Sequence, residues 1–164
     1  MKGLCEFVIL LMMIKNNTTL KGNKVKVTFG NGSSREVEVF NVTCKAGLAE
    51  MLSRLLDTEN TDKLSLLQYL ACGTGSTAQT ENDTSLEVET SRVLIDYDLC
   101  VQNETELKIY ATFPIGDELT IRELGLFVGV AANVLLARTV LPGDIIKSSD
   151  ESMTIEWKLN LNSA

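Results

Sequence analysis

Few residues in this chain have the type and spacing to do chemistry. Cys72-Gly73-Thr74-Gly75-Ser76 has the glycine and hydroxyl content of a phosphate-cradling loop. A P-loop, however, sets a lysine beside its closing Ser or Thr, whereas Lys63 lies on the far side of the preceding apolar run. The segment therefore reads as a structural turn. Residues 66–71 form a short apolar strand that must end at Gly73 and Gly75, and at least one of these glycines is expected at positive φ. Asp96, Asp98, Asp117, Glu118, Asp144, Asp150 and Glu151 supply carboxylates, but none forms the compact oxygen-ligand loop of a calcium hand or a recognisable glycosidase pair. Arg122-Glu123 reads either as an inward-facing ion pair fixing two strands or as a solvated pair.

What is missing narrows the chemistry further. The chain has no histidine, hence neither the commonest general base nor the commonest transition-metal ligand. The Gly-x-Ser-x-Gly elbow of a small hydrolase is absent too. Cys5, Cys44, Cys72 and Cys100 are too far apart for a zinc site or redox dithiol. They could close two disulfides in any of three pairings; in a reducing cell they read as small buried hydrophobes. No catalytic, cofactor or metal residue is expected. A net charge of -7 and a pI near 4.7 argue against a nucleic-acid groove, which needs clustered Lys and Arg. Asn-x-Ser/Thr triplets begin at Asn17, Asn31, Asn41, Asn82 and Asn103, and matter only in an exported chain.

The elements that would position these residues follow from periodicity. With 164 residues, 45% hydrophobic and 23% charged, the chain is sized for one domain over 1–164. Phe7, Val8, Ile9, Leu10, Leu11 and Met12, continuing to Ile14, form an apolar run within residues 1–15. It is too short to span a bilayer and is followed by Lys15-Asn16-Asn17 rather than a small-residue cleavage site. It reads as a strand or arm buried on both faces or against another subunit, so these residues are the expected assembly contacts. A hairpin is expected over 24–42, with Val25, Val27, Val37 and Val39 inward and Gly30-Asn31-Gly32-Ser33-Ser34 as its turn. Leu48, Met51, Leu52, Leu55 and Leu56 make one stripe of a helix over 45–56 that caps an open sheet face. The main sheet spans 66–161. It includes a half-buried strand through Leu86 and Val88, four later strands, a turn at Pro114-Ile115-Gly116-Asp117 and another at Pro142-Gly143-Asp144. The fold class is mainly β, an antiparallel β-sandwich with one amphipathic helix packed on it.

The same residues carry a resemblance. Ala46-Gly47-Leu48, Tyr69 through Ala78, Asp83-Thr84-Ser85-Leu86-Glu87 and Arg92 form a pattern that continues through Ala111-Thr112-Phe113-Pro114, Leu119 through Phe127, Leu136-Ala137-Arg138 and Met153 through Trp157. Over about residues 40–161 the chain resembles a family of small virion proteins of tailed phages and prophages, of the tail-fibre or structural kind. Cys72, where a small or aliphatic residue is expected, and Ala78-Gln79-Thr80, without the usual proline, depart from the pattern.

The resemblance implies a non-enzymatic structural protein of the virion, assembled in the host cytoplasm. It would be tail-, fibre- or baseplate-associated, or a capsid decoration protein. Its partners would be itself, as a homo-oligomer, and other virion proteins, with no nucleic acid or membrane. From another class, an extracellular carbohydrate-binding module is disfavoured by the small aromatic supply: Trp157, three tyrosines and five phenylalanines.

Overall fold

Alternation of apolar and polar side chains sorts most of this chain into strands, and the two-residue period decides which face of each is buried. The computed structural model describes residues 20–49, 67–103, 106–128 and 134–160. Among the described residues nine strands are formed: β1 Leu20–Phe29, β2 Ser34–Thr43, β3 Leu67–Gly73, β4 Glu89–Leu94, β5 Val101–Gln102, β6 Glu106–Phe113, β7 Leu119–Val128, β8 Val134–Lys147 and β9 Met153–Asn160. All are antiparallel, in the order β4-β3-β7-β8-β2-β1-β9-β6-β5.

The sheet has two halves. β2 and β8 share only the pairs Val42↔Arg138 and Thr43↔Ala137. At the other end Ile95, just past β4, bridges to Ala111 of β6, and the Asp96 N–H donates to the Tyr110 carbonyl at 2.8 Å. The sheet thus curls until its ends meet, forming a sandwich whose halves enclose one apolar core. Val25, Val27, Ile109, Phe113, Ile155 and Trp157 of one half pack in the same cluster as Leu70, Cys72, Ile121, Leu124 and Leu126 of the other.

The expected hairpin is β1–β2. Its turn is closed by Phe29 N–H to Ser33 O at 2.9 Å, with Gly32 at φ 85°. Lys24 Nζ lies 2.6 Å from Glu36 on the wet face. The turn at residues 114–117 links β6 to β7 and has Gly116 at φ 131°. Of the helix expected over 45–56, residues 45–49 are helical and the rest lie outside the described residues. So do the apolar arm at 1–15 and both end residues of the expected main sheet, Leu66 and Leu161.

Two expectations are corrected. Pro142-Gly143-Asp144 does not reverse the chain: β8 runs through it, and β7 pairs on either side of it, Glu123↔Val140 and Ile121↔Ile145, so the extra residues form a bulge. Proline is tolerated there because β2 pairs with β8 only at Ala137 and Arg138. Leu86 and Val88 are not on one half-buried strand either. β4 begins at Glu89, Leu86 is buried, and Val88 is 49% exposed.

From Glu123 onward β7 is buried on both faces: Leu124, Leu126 and Val128 face the main core, while Glu123 and Phe127 are also sequestered. Phe127, Ala71 and Leu135 form a second cluster on the outer face with Cys44 and Leu86. The helical residues 45–49 and the connection 74–88 cover that face. At Gly47, for example, a Cβ would come within 2.4 Å of Leu136 Cα. Trp157 is the largest fully buried side chain. Trp157→Ala is expected to destabilise by about 3–5 kcal/mol, read from the urea midpoint; a loss under about 1 kcal/mol would contradict a single close-packed core.

Candidate functional site

A carboxylate and a guanidinium sit in the middle of two neighbouring apolar strands, Glu123 on β7 and Arg138 on β8, with the Glu123 and Arg138 side chains 0% and 3% exposed. They face the outer cluster. Arg138 Nε donates to Glu123 Oε2 at 2.8 Å, and the rest of the carboxylate is filled by backbone. Gly75 N–H donates to Oε1 at 3.0 Å, Val88 N–H to Oε1 at 2.7 Å and Glu87 N–H to Oε2 at 3.1 Å. The other side of Arg138 meets Asp83, Nη1 to Oδ2 at 2.9 Å, and Nη2 lies 3.6 Å from Glu87 Oε2. Four donors on one buried carboxylate satisfy the requirement that buried charge be paired and hydrogen-bonded.

The connection 74–88 is built for this contact. Thr74 N–H donates to the Val88 carbonyl at 3.0 Å, so the loop's ends meet. Within it, Thr77 donates through N–H and hydroxyl to Glu87 at 2.8 and 2.7 Å, and Thr80 does the same to Asp83 at 3.0 and 2.8 Å. These donors hold the Glu87 carboxyl below the usual carboxylate range, the Thr77 N–H foremost. For Asp83, burial opposes ionisation, but the Thr80 N–H and Arg138 outweigh it and its pKa is lowered. Beside the loop, Lys45 pairs with Glu81 at 2.6 Å, and Gln79 donates to the Phe40 carbonyl. Arg92 is stacked 3.7 Å over the Phe127 ring while bonded to Glu89.

Gly73 and Gly75 belong to this site, but not through backbone conformation. Neither is at positive φ; Gly32 and Gly116 are. They are needed for space. A Cβ on Gly73 would lie 2.1 Å from the Val88 carbonyl oxygen, and one on Gly75 would lie 2.4 Å from Glu123 Oε1. The glycine-hydroxyl stretch does cradle an anion, and the anion is the chain's own Glu123.

The Arg122-Glu123 reading is likewise revised. Glu123 is inward but pairs with Arg138, while the register shift between Ile121 and Glu123 turns Arg122 to Asp144 at 3.4 Å. The sequence signal for the true pair is the lone charge of one apolar run, Arg138 within Leu135 to Leu141, together with the Arg122-Glu123 doublet inside another, Leu119 to Val128. Periodicity marks such charges as covered, yet cannot say by what.

Chemically, the site is spent on holding. Glu123 has no solvent access and its oxygens are occupied, so it offers no base or ligand to a substrate. Burial pushes the Cys44 thiol up to about 12 and the Cys72 thiol up to about 11, which keeps both as unreactive thiols. Cys44, Cys72 and Cys100 are free. Among the described residues no three His, Cys, Asp or Glu side chains converge as a metal site, and no helix is long and apolar enough to cross a membrane. Trp157 is buried, leaving Phe40 and Tyr97 as the exposed aromatics among the described residues. The expected assembly contacts Phe7, Val8, Ile9, Leu10, Leu11 and Met12 lie outside the described residues. Elsewhere, Leu94, Tyr97, Leu99 and Val101 are exposed along the connection from β4 to β5, the two end strands of the sheet.

Removing one partner of a buried pair leaves the other uncompensated, so Glu123→Ala is expected to destabilise by about 3–5 kcal/mol. Gly75→Ala is expected to cost about 1–3 kcal/mol alone and clearly less in the Glu123→Ala background, because two of the three nearest atoms to its Cβ belong to Glu123. Additive costs in this double-mutant cycle would refute the cradle. For pH, Asp83 has a folded pKa below its unfolded value, so its contribution is present at neutral pH and is lost as pH falls through the folded pKa. Urea midpoints measured between about pH 6 and about pH 3 should therefore fall less steeply in Asp83→Asn than in the parent chain.

Comparison with protein-family models, with curated proteins and with solved structures finds no match for this chain.

Proposed function

We propose that this chain is a non-enzymatic structural protein of a tailed virus or prophage particle, tail-, fibre- or baseplate-associated, that works by self-association and docking. The observation that carries the reading is the division of labour among its side chains. The buried pair Glu123–Arg138 is consumed in pinning one loop to the sheet and buried Lys147 in tying down the end of β8, while apolar side chains remain at the surface: Leu94, Tyr97, Leu99 and Val101 stand 64, 47, 49 and 52% exposed beside the end strands. Contiguous exposed apolar side chains at a sheet edge favour protein contacts. The motif resemblance to small virion proteins supplies the particle, and the uncharged run Phe7 to Met12 supplies assembly contacts whose burial contributes about 1.5–3 kcal/mol per large side chain.

Light scattering of the full chain should report an oligomer, and deletion of residues 1–15 should abolish or weaken it. Leu99→Asp is expected to weaken assembly with little change in thermal midpoint. A full-length protein that stays monomeric at high concentration would overturn the self-association reading. A proteome of purified particles lacking this chain would overturn the virion reading, and its presence in heads without tails would move it to capsid decoration.

A further inference from the structure

We propose that residues 74–88 are a separable cover, closed over the outer face of β3, β7 and β8 by the charge of Glu123 and Asp83 on Arg138. Loss of that charge lifts the cover as a unit and uncovers Cys44 and the part of the outer cluster that Leu86 packs on, while the helical residues 45–49 and the sandwich core stay in place. The cover's composition supports this. Of its fifteen residues only Gly75 and Leu86 are buried, so a single side chain of any size anchors it by apolar contact. Its buried polar ties all converge on two side chains, Glu123 through three backbone N–H groups and Arg138 through Asp83. The remaining ties are at the rim: the Lys45 N–H to the Glu81 carbonyl at 2.9 Å, Lys45 Nζ to Glu81 and Asn82, and Gln79 to the Phe40 carbonyl.

The neck lets the cover move alone. Thr74 N–H to Val88 O, with the Gly73↔Glu89 pair, joins its two ends on the sheet side of the Glu123 contacts, so opening need not unzip β3 from β4. Internal bonds from Thr77 to Glu87 and from Thr80 to Asp83 keep the loop together once released. A segment with little apolar burial and a few convergent polar anchors belongs at the low end of local opening free energies, below the global one.

The two buried thiols report the distinction. Cys44 belongs to the outer cluster under the cover, and Cys72 belongs to the main core. The experiment is thiol labelling of the full chain at neutral pH with a small disulfide reagent, resolved by peptide mass, in the parent and in Glu123→Gln. Cys44 labelling should rise at least about tenfold in Glu123→Gln, with Cys72 unchanged, since exposure both admits the reagent and returns the thiol toward its ordinary pKa. Equal rises at Cys44 and Cys72 would mean global loosening and overturn the proposal, as would no rise at all. Should Glu123→Gln fail to fold, Asp83→Asn, which leaves the Glu123–Arg138 pair in place, takes the same measurement. Cys44 labelling unchanged from the parent, or rising in step with Cys72, overturns the proposal there as well.

Discussion

The Glu123–Arg138 pair is the constraint on which the rest of the outer face depends. Two charges placed centrally in β7 and β8 cannot be left half-solvated beside Phe127, Ala71 and Leu135, which need cover themselves. Covering them removes water from both charges, and the pair alone does not repay that cost unless the remaining lone pairs and N–H groups find partners. The 74–88 loop supplies partners to both charges, backbone N–H groups to the carboxylate and the Asp83 side chain to Arg138 Nη1. Three N–H groups can reach one carboxylate only if the chain passes within van der Waals distance of it, which is why Gly73 and Gly75 stand where any side chain would strike Val88 or Glu123. The loop's irregular course through residues 86–88 has the same origin: the N–H groups of Glu87 and Val88 are committed to the carboxylate rather than to a neighbouring strand.

The sandwich beneath is held more conventionally. Inward valines of β1 and β2, the isoleucines and aromatics of β6 and β9, and the leucines of β3 and β7 pack as one cluster, so both halves of the sheet need each other. The corners are thin, two residue pairs at β2–β8 and a bridge at Ile95–Ala111, and the irregularities collect near them. Past Ala137 and Arg138 of β8 no β2 partner remains, and there the strand carries Pro142 and its bulge. Buried Lys147 ties that end down, donating to the Asp117 and Ser148 carbonyls at 2.7 and 3.1 Å.

This arrangement bears on function by using up reactive groups. The buried carboxylate is saturated with donors, the buried thiols are held protonated, and the largest aromatic lies in the core, whereas apolar side chains are left outside next to the end strands. A surface of that kind is suited to contact with other protein surfaces, the reading on which the proposed virion role rests.

Periodicity in the sequence determined the strands wherever one face meets the core and the other meets water: the β1–β2 hairpin, β6, β9 and the turn around Gly116 are legible because alternation and turn residues are local properties. It determined the absence of histidine and of paired cysteines outright. The identity of charge partners was decided only by the tertiary structure, since Glu123 could be paired with its neighbour Arg122 on spacing alone, and the strand irregularity that separates them arises from how β7 meets β8. The same holds for the two glycines in Cys72-Gly73-Thr74-Gly75-Ser76, whose type was plain in the sequence but whose reason was not. A turn and a close approach both select glycine, and only the folded chain brings Glu123, some fifty residues on, against the loop that needs the space.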